Sequence, residues 1–212
     1  MIELGLKFTA AYLLGSILGS LVVGQLCGGV DIRELGSHNA GGTNALRTQG
    51  KVFALWVMLI DVGKGVIPVL LLPALAIPGV GLDAQVSREL ITYAVGFGTI
   101  LGHVYPLWYA FRGGKGGATS AGVLFALAPW LALPAIGIWF AVIVITRYVG
   151  LATMSVVIGV SAYIGLTRLP KEYGLFIFSL FAAALILYTH RVNIKRMLEG
   201  SENRTEVVRF YR

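Results

Sequence analysis

The stretch GATSAGVLFALAPWLALPAIGIWFAVIVIT, residues 117–146, decides how this chain is organised. It contains no Asp, Glu, Lys or Arg. A membrane-spanning helix needs about 20 apolar residues, so the stretch is long for one crossing and short for two. Pro129 and Pro134 lie inside it, where a helix bends or turns. The distribution of basic residues chooses between the readings. If 117–146 is a helical hairpin, spanning or re-entrant, twelve Lys and Arg share one face, among them Arg33, Arg47, Arg112, Lys115, Arg147, Arg191, Arg209 and Arg212. Only four, Lys7, Arg88, Arg168 and Lys171, then lie on the other, and Lys64 falls inside a span. A single crossing would even the split to nine against seven. Lys and Arg concentrate in cytoplasmic loops, which selects the hairpin.

Working outward, apolar runs predict spans at roughly 4–24, 52–76, 90–111, 117–131, 133–146, 150–167 and 172–190. The expected fold class is an all-α integral membrane protein of about seven transmembrane helices, amino terminus outside and carboxyl terminus cytoplasmic. Residues 1–212 are read as a single multi-span domain, because no linker, charge run or repeat divides them. The composition agrees: 57% of residues are hydrophobic and 13% charged, against about 25% charged in soluble domains. The net charge of +7 suits loops facing anionic lipid rather than a nucleic acid. Cys27 is the only cysteine, which excludes an internal disulfide. The first apolar run lacks a basic leader and a small-residue cleavage site, so it reads as a retained span. The tail from Asn193 to Arg212 reads as a short amphipathic helix at the inner surface or a partly disordered segment.

The predicted inner loops hold the chemistry. The first runs Gly36-Ser37-His38-Asn39-Ala40-Gly41-Gly42-Thr43-Asn44-Ala45-Leu46-Arg47. Hydroxyls and amides donate to oxyanions, and Arg47 adds a forked permanent cation. Thr43 and Asn44 are placed to cap the helix that follows. A plain solvated turn would use many of the same residues. The second loop is Phe111-Arg112-Gly113-Gly114-Lys115-Gly116-Gly117-Ala118-Thr119, preceded by Gly102-His103 and Pro106. Glycines let backbone amides approach a phosphate, and Lys115 adds a point charge. It is not a P-loop, since Gly116 rather than Ser or Thr follows Lys115. As bare topology anchors, Arg112 and Lys115 would need no such glycines. His103 suits either a hydrogen bond within the bundle or a site role. A third group, Thr189 to Arg196, carries His190 and Asn193 three apart, on one face if the helix continues. Asp61 and Lys64 form either a structural pair within the second span or part of a polar cavity. No zinc helix, nucleophile elbow or acidic cluster for Mg²⁺ is present, so neither metal nor cofactor is expected.

In these residues the chain resembles the bacterial acyl-phosphate:glycerol-3-phosphate acyltransferases. Gly36-Ser37, Asn39, Gly41, Thr43-Asn44 and Arg47 look like the family's first motif. Asp61 and Lys64-Gly65 fit its second-span pattern. Gly102-His103, Pro106, Phe111, Gly113-Gly114-Lys115-Gly116 and Ala118-Thr119 resemble its central motif, and Arg147-Tyr148 fits a further short one. His190-Arg191, Asn193-Ile194, Arg196, Gly200 and Glu202 look like its last. Gly117 and Met197 depart from the usual valine and leucine. The resemblance implies a seven-span enzyme of the bacterial inner membrane with its site facing the cytoplasm. It would move a fatty acyl group from acyl phosphate to the 1-hydroxyl of glycerol 3-phosphate, giving lysophosphatidic acid and phosphate, the first acylation of phospholipid synthesis. The His-x₄-Asp signature of acyl-CoA-dependent acyltransferases is missing, since Thr43, Trp108 and Lys195 stand fifth after the three histidines.

Acyl phosphate is already activated, so the protein needs only to position two phosphates, orient a hydroxyl and stabilise charge. Lys115, His190, Ser37 and Arg47 are the expected catalytic residues. Gly36, Asn39, Gly41, Gly42, Thr43, Asn44, His103, Gly113, Gly114, Gly116, Thr119 and Asn193 are the expected substrate-binding set. Membrane lipids are expected neighbours, with no obligate protein partner. The rival class is a transporter or flippase for a phosphorylated solute or lipid. Such a site would sit near the bilayer midplane between repeated halves.

Overall fold

The computed structural model describes residues 1–205. The expected positions of Arg209 and Arg212, and the last part of the predicted tail helix, lie outside the described residues. Among the described residues every regular element is helical. The chain divides into two compact units, Met1–Pro129 and the part from Trp130 onward.

The first unit holds α1 (Ile2–Gly15), α2 (Gly19–Leu26), α3 (Gly42–Gln49), α4 (Lys51–Leu71), α5 (Arg88–Val104) and α6 (Gly117–Leu127). Helix α1 packs on α5, and α4 packs on α6. Small residues allow both approaches: a Cβ on Gly102 would overlap the Tyr12 carbonyl, and one on Gly122 the Val62 carbonyl. Apolar solvent gives helices no hydrophobic drive to associate, so close backbone packing supplies the attraction.

The predicted first span is not one helix. It breaks after Gly15 and bends by 43°. The sequence there, Gly15-Ser16-Ile17-Leu18-Gly19-Ser20, has the Gly and Ser content typical of kinks. Ser16 Oγ bonds back to the Tyr12 carbonyl at 2.8 Å. The break leaves backbone groups without helical partners, which apolar surroundings do not tolerate. Helix α4 satisfies them. Lys64 Nζ donates to the Ile17 carbonyl at 2.6 Å, and the Gly19 amide donates to Asp61 Oδ1 at 3.1 Å. Lys64 and Asp61 also pair at 2.9 Å, both buried. The structural reading of this pair holds.

At the far end of α1 a second ionic cluster closes the bundle. The buried Glu3 carboxylate accepts from Lys7 at 2.8 Å, from Arg88 at 2.7 Å and from the Asp83 amide at 2.9 Å. Lys7 also donates to the Pro73 carbonyl at 2.8 Å. Helix α4 ends at Leu71 rather than 76, where Pro73 lacks the N–H to extend it.

The second unit holds α7 (Ala132–Thr146), α8 (Val149–Thr167), α9 (Tyr173–Thr189) and α10 (Arg191–Leu198). Helix α8 packs on α7 and α9. The Arg168 guanidinium stacks over the Trp130 ring at 4.3 Å. The stretch 117–146 is interrupted at Pro129, as its prolines suggest: α6 stops at Leu127 and α7 starts at Ala132. Pro134 falls in the first turn of α7, where its missing N–H would have had no partner. At 11 residues α6 is short for a span. Among the described residues, four helices are long and apolar enough to cross a membrane, or up to six if each bent pair, α1 with α2 and α9 with α10, counts as one.

Candidate active site

The first polar loop is organised by one side chain. Asn44, buried at the start of α3, donates from Nδ2 to the carbonyls of Ile32 (2.8 Å), Leu35 (3.0 Å) and Asn39 (3.0 Å). Its Oδ1 accepts the Ser37 amide at 2.9 Å. Gly36, at φ 59°, leaves room for it, since a Cβ there would collide with Asn44 and Thr48. This corrects one expectation. Gly41, not Thr43 or Asn44, occupies the N-cap of α3, and no side chain caps that helix. The Asn44 side chain bonds the backbone of its own loop. Ser37 and Asn39 stay half-buried, Gly41 and Gly42 line the turn, and Thr43 and Arg47 are exposed.

The glycines of the second loop have a different cause from the one expected. A Cβ on Gly113 would strike the His103 carbonyl and Pro106, and one on Gly114 the His103 ring. The Gly114 amide donates to the His103 carbonyl at 3.1 Å. These two glycines are small because the loop presses against the end of α5. Gly116 alone meets a conformational demand, at φ 86° as the N-cap of α6. Lys115 stands between them, half-buried, directly before that N-terminus. In the first turn, Thr119 Oγ1 and Ser120 Oγ are buried with no hydrogen-bond partner among the described residues. A helix N-terminus with a lysine and two unspent hydroxyls is suited to an anion.

His103 touches this loop from below. Its ring is 2% exposed, with Nδ1 3.6 Å from Asp61 Oδ1. So enclosed, it forms a wall against Gly114.

Arg33 reaches the loop from the other side. Its guanidinium is held by Asp31 at 2.7–3.1 Å through three contacts. It donates onward to the Arg112 carbonyl at 3.2 Å and the Tyr109 carbonyl at 3.5 Å, and lies 5.5 Å from the Tyr109 ring centroid. The Arg33 hydrogen bonds hold the Asp31 carboxyl below the usual range, and Asp31 raises Arg33.

In the second unit, α9 ends at Thr189 and α10 starts at Arg191, bent by 55°. His190 is the hinge, so His190 and Asn193 do not share one continuous helix face as anticipated. Both are buried. His190 Nδ1 lies 2.8 Å from the Ile186 carbonyl. A carbonyl can only accept, so Nδ1 carries the N–H. Asn193 packs against Gly150 and donates to Glu202 Oε1 at 2.7 Å. Arg147 Nε donates to the Thr205 carbonyl at 2.9 Å, and the Thr205 amide returns a bond to the Arg147 carbonyl at 2.8 Å. The tail as far as Thr205 is thus tied to the turn before α8.

A family profile described as glycerol-3-phosphate acyltransferase matches residues 6–200. The chain belongs to the glycerol-3-phosphate acyltransferase family. It is 37% identical to the family's enzyme from Pelodictyon phaeoclathratiforme, over 96% of this chain and 97% of that one. It is 40% identical to the one from Aquifex aeolicus, over 92% and 95%. The fold is similar to crystal structures of an integral membrane glycerol 3-phosphate acyltransferase. Its glycerol 3-phosphate form matches with TM-score 0.82 and 35% identity over 97% of both chains. Its lysophosphatidic acid form matches with TM-score 0.81 and 36% identity over the whole of both. Like that protein, this chain is an acyltransferase embedded in a membrane.

Sequence reasoning about this acyltransferase missed Arg33 and Asp31. In the sequence Arg33 reads only as a topology charge. The available signal was local: an aspartate two residues before an arginine, just ahead of a polar loop, is a common Asx turn. Its targets lie more than 70 residues away and leave no trace in spacing.

Proposed function

We propose that this protein transfers a fatty acyl group from acyl phosphate to the 1-hydroxyl of glycerol 3-phosphate, releasing lysophosphatidic acid and phosphate. The reading is carried by the full-length likeness to a structure in glycerol 3-phosphate and lysophosphatidic acid forms, the substrate and product of one acylation. In the reaction the hydroxyl oxygen attacks the acyl carbonyl, the acyl–phosphate C–O bond breaks, and the hydroxyl proton leaves with the departing phosphate. No covalent enzyme intermediate is needed, because the donor is a mixed anhydride.

Lys115, the first turn of α6 and Thr119 hold one phosphate. Ser37, Thr43, Asn44 and Arg47 hold the other, with Gly36, Asn39, Gly41 and Gly42 beside them. His190 and Asn193 orient substrate. The chain acts as one multi-span domain of about seven spans in the bacterial inner membrane, amino terminus outside, with the polar loops at the cytoplasmic face. The excess of Lys and Arg on those loops supports that orientation.

Purified protein is incubated with glycerol 3-phosphate and either palmitoyl phosphate or palmitoyl-CoA, and lysophosphatidic acid is measured. Product with palmitoyl phosphate alone is the expected result. Product with the CoA thioester alone would reject the donor, and no product with either would reject the activity.

A further inference from the structure

Two consecutive non-glycine residues, Ala110 and Phe111, occupy the left-handed region at φ 52° and 59°. Each such conformation is sparsely populated and persists only where its surroundings enforce it. The pair lies directly before Arg112 and the glycine loop. Arg33 grips the carbonyls on both sides of it, at Tyr109 and Arg112. Within the segment, the Phe111 amide bonds the Pro106 carbonyl at 2.9 Å and the Arg112 amide the Tyr109 carbonyl at 3.1 Å. Arg33 is itself fixed. Asp31 takes its Nε and NH2 donors and its backbone amide, the last at 2.9 Å. Its own carbonyl is 3.0 Å from His38 Nδ1, and His38 is left-handed too, at φ 58°. One side chain therefore joins the base of the Ser37–Arg47 loop to the base of the Lys115 loop.

We propose that Arg33, oriented by Asp31, is a positioning residue that locks the strained Tyr109–Arg112 turn and so fixes the height and direction of the Lys115 loop relative to the first polar loop. The planar fork is essential to this job. One guanidinium edge, Nε and Nη2, meets the carboxylate while Nη1 reaches two carbonyls, a division a lysine ammonium cannot reproduce. Arg33 does not contact substrate. It sets the geometry of the donors that do, and the cost of losing it falls on the binding of one phosphate.

The kinetic part of the test rests on the acyltransferase reading, and the structural part does not. Arg33→Lys, Arg33→Ala and Asp31→Asn are made in the full chain. Steady-state constants are measured for both substrates. Amide hydrogen exchange is followed over 109–114, with the buried stretch 95–100 of α5 as the internal control. In Arg33→Lys we expect KM for one of the two phosphate substrates to rise about tenfold, with the other KM and kcat within about twofold. Exchange over 109–114 should accelerate by about tenfold or more while 95–100 is unchanged. Asp31→Asn should show the same pattern in weaker form, and it reports on the lock if Arg33→Ala does not fold. Unchanged exchange over 109–114 would overturn the proposal. So would a fall in kcat with both KM values intact, which is the mark of a smaller folded fraction. A raised KM with unchanged exchange would make Arg33 a direct substrate ligand and reject the positioning role. An inactive wild-type protein would refute the proposed activity, while the exchange data would still decide the lock.

Discussion

The two polar loops of the first unit are built in opposite ways. The Gly36–Arg47 loop is held from within: Asn44 bonds four backbone groups, all within 12 residues of it. The Gly113–Gly117 loop is held from without, by the end of α5 beneath it and by Arg33 beside it. A self-held loop keeps its shape as long as its hub residue is present. A loop held by others depends on the packing of the bundle, so changes in distant elements reach it. The difference separates residues that shape a site from those that act in it.

Lys115→Ala tests the acting class and should have the largest effect. We expect kcat/KM to fall on the order of 10²–10³-fold, as when one preorganised charge donor is lost, with the melting temperature nearly unchanged. Near-normal turnover in the folded variant would remove Lys115 from the chemistry. Asn44→Ala breaks the self-held loop. It strands buried carbonyls and one amide and should cost about 2–3 kcal/mol of stability, measured as a lowered unfolding midpoint. A stability loss below the noise would mean the loop has other supports.

Gly114→Ala attacks the loop held from outside. The added methyl would enter the His103 ring, so we expect about a tenfold loss in kcat/KM with modest destabilisation. The His103→Ala, Gly114→Ala double variant should regain part of that loss, because the cavity left by the ring accepts the methyl. Strict additivity of the two changes would show that the contact does not matter.

The smallest effect is pH-dependent and tests the Asp31–Arg33 pair. Asp31 is held below its ordinary value by Arg33, with the Arg112 charge adding to it. A carboxyl depressed in the folded state contributes stability that is complete above its unfolded value, about 3.9, and is lost as pH falls toward the folded one. The difference in melting temperature between wild type and Asp31→Asn should therefore be constant from pH 8 to pH 5 and shrink below about pH 4. A difference that grows on acidification would contradict the pairing.

Much of the fold was legible because a bilayer solvent leaves long apolar runs in the chain. The helices from Lys51, Arg88, Val149 and Tyr173 lie where those runs predict them. The departures occur where a run conceals a polar backbone event. The break at Ser16–Leu18 is invisible to apolar content, because its partners Asp61 and Lys64 lie on another helix. The bend at His190 has no marker of its own, since no Gly or Pro stands between Tyr188 and Met197. The site was legible as residue types and less so as roles. The motifs name Asn44, His103, Gly113 and Gly114, but the contacts that tie Asn44 to its loop and press both glycines on His103 are seen only in the structure.

By itself the sequence determined the solvent, the helical class, the three polar clusters and the kind of ligand they suit. These follow from composition and local spacing, which do not depend on what the chain later packs against. Only the tertiary structure decided which donors are spent on the protein and which remain for an anion. That is a matter of who meets whom across 40 to 90 residues, as Lys64 meets Ile17 and Arg33 meets Arg112. A hydrogen-bonding group has fixed capacity, and once a carbonyl of the same chain has filled it, the residue's identity no longer states its function.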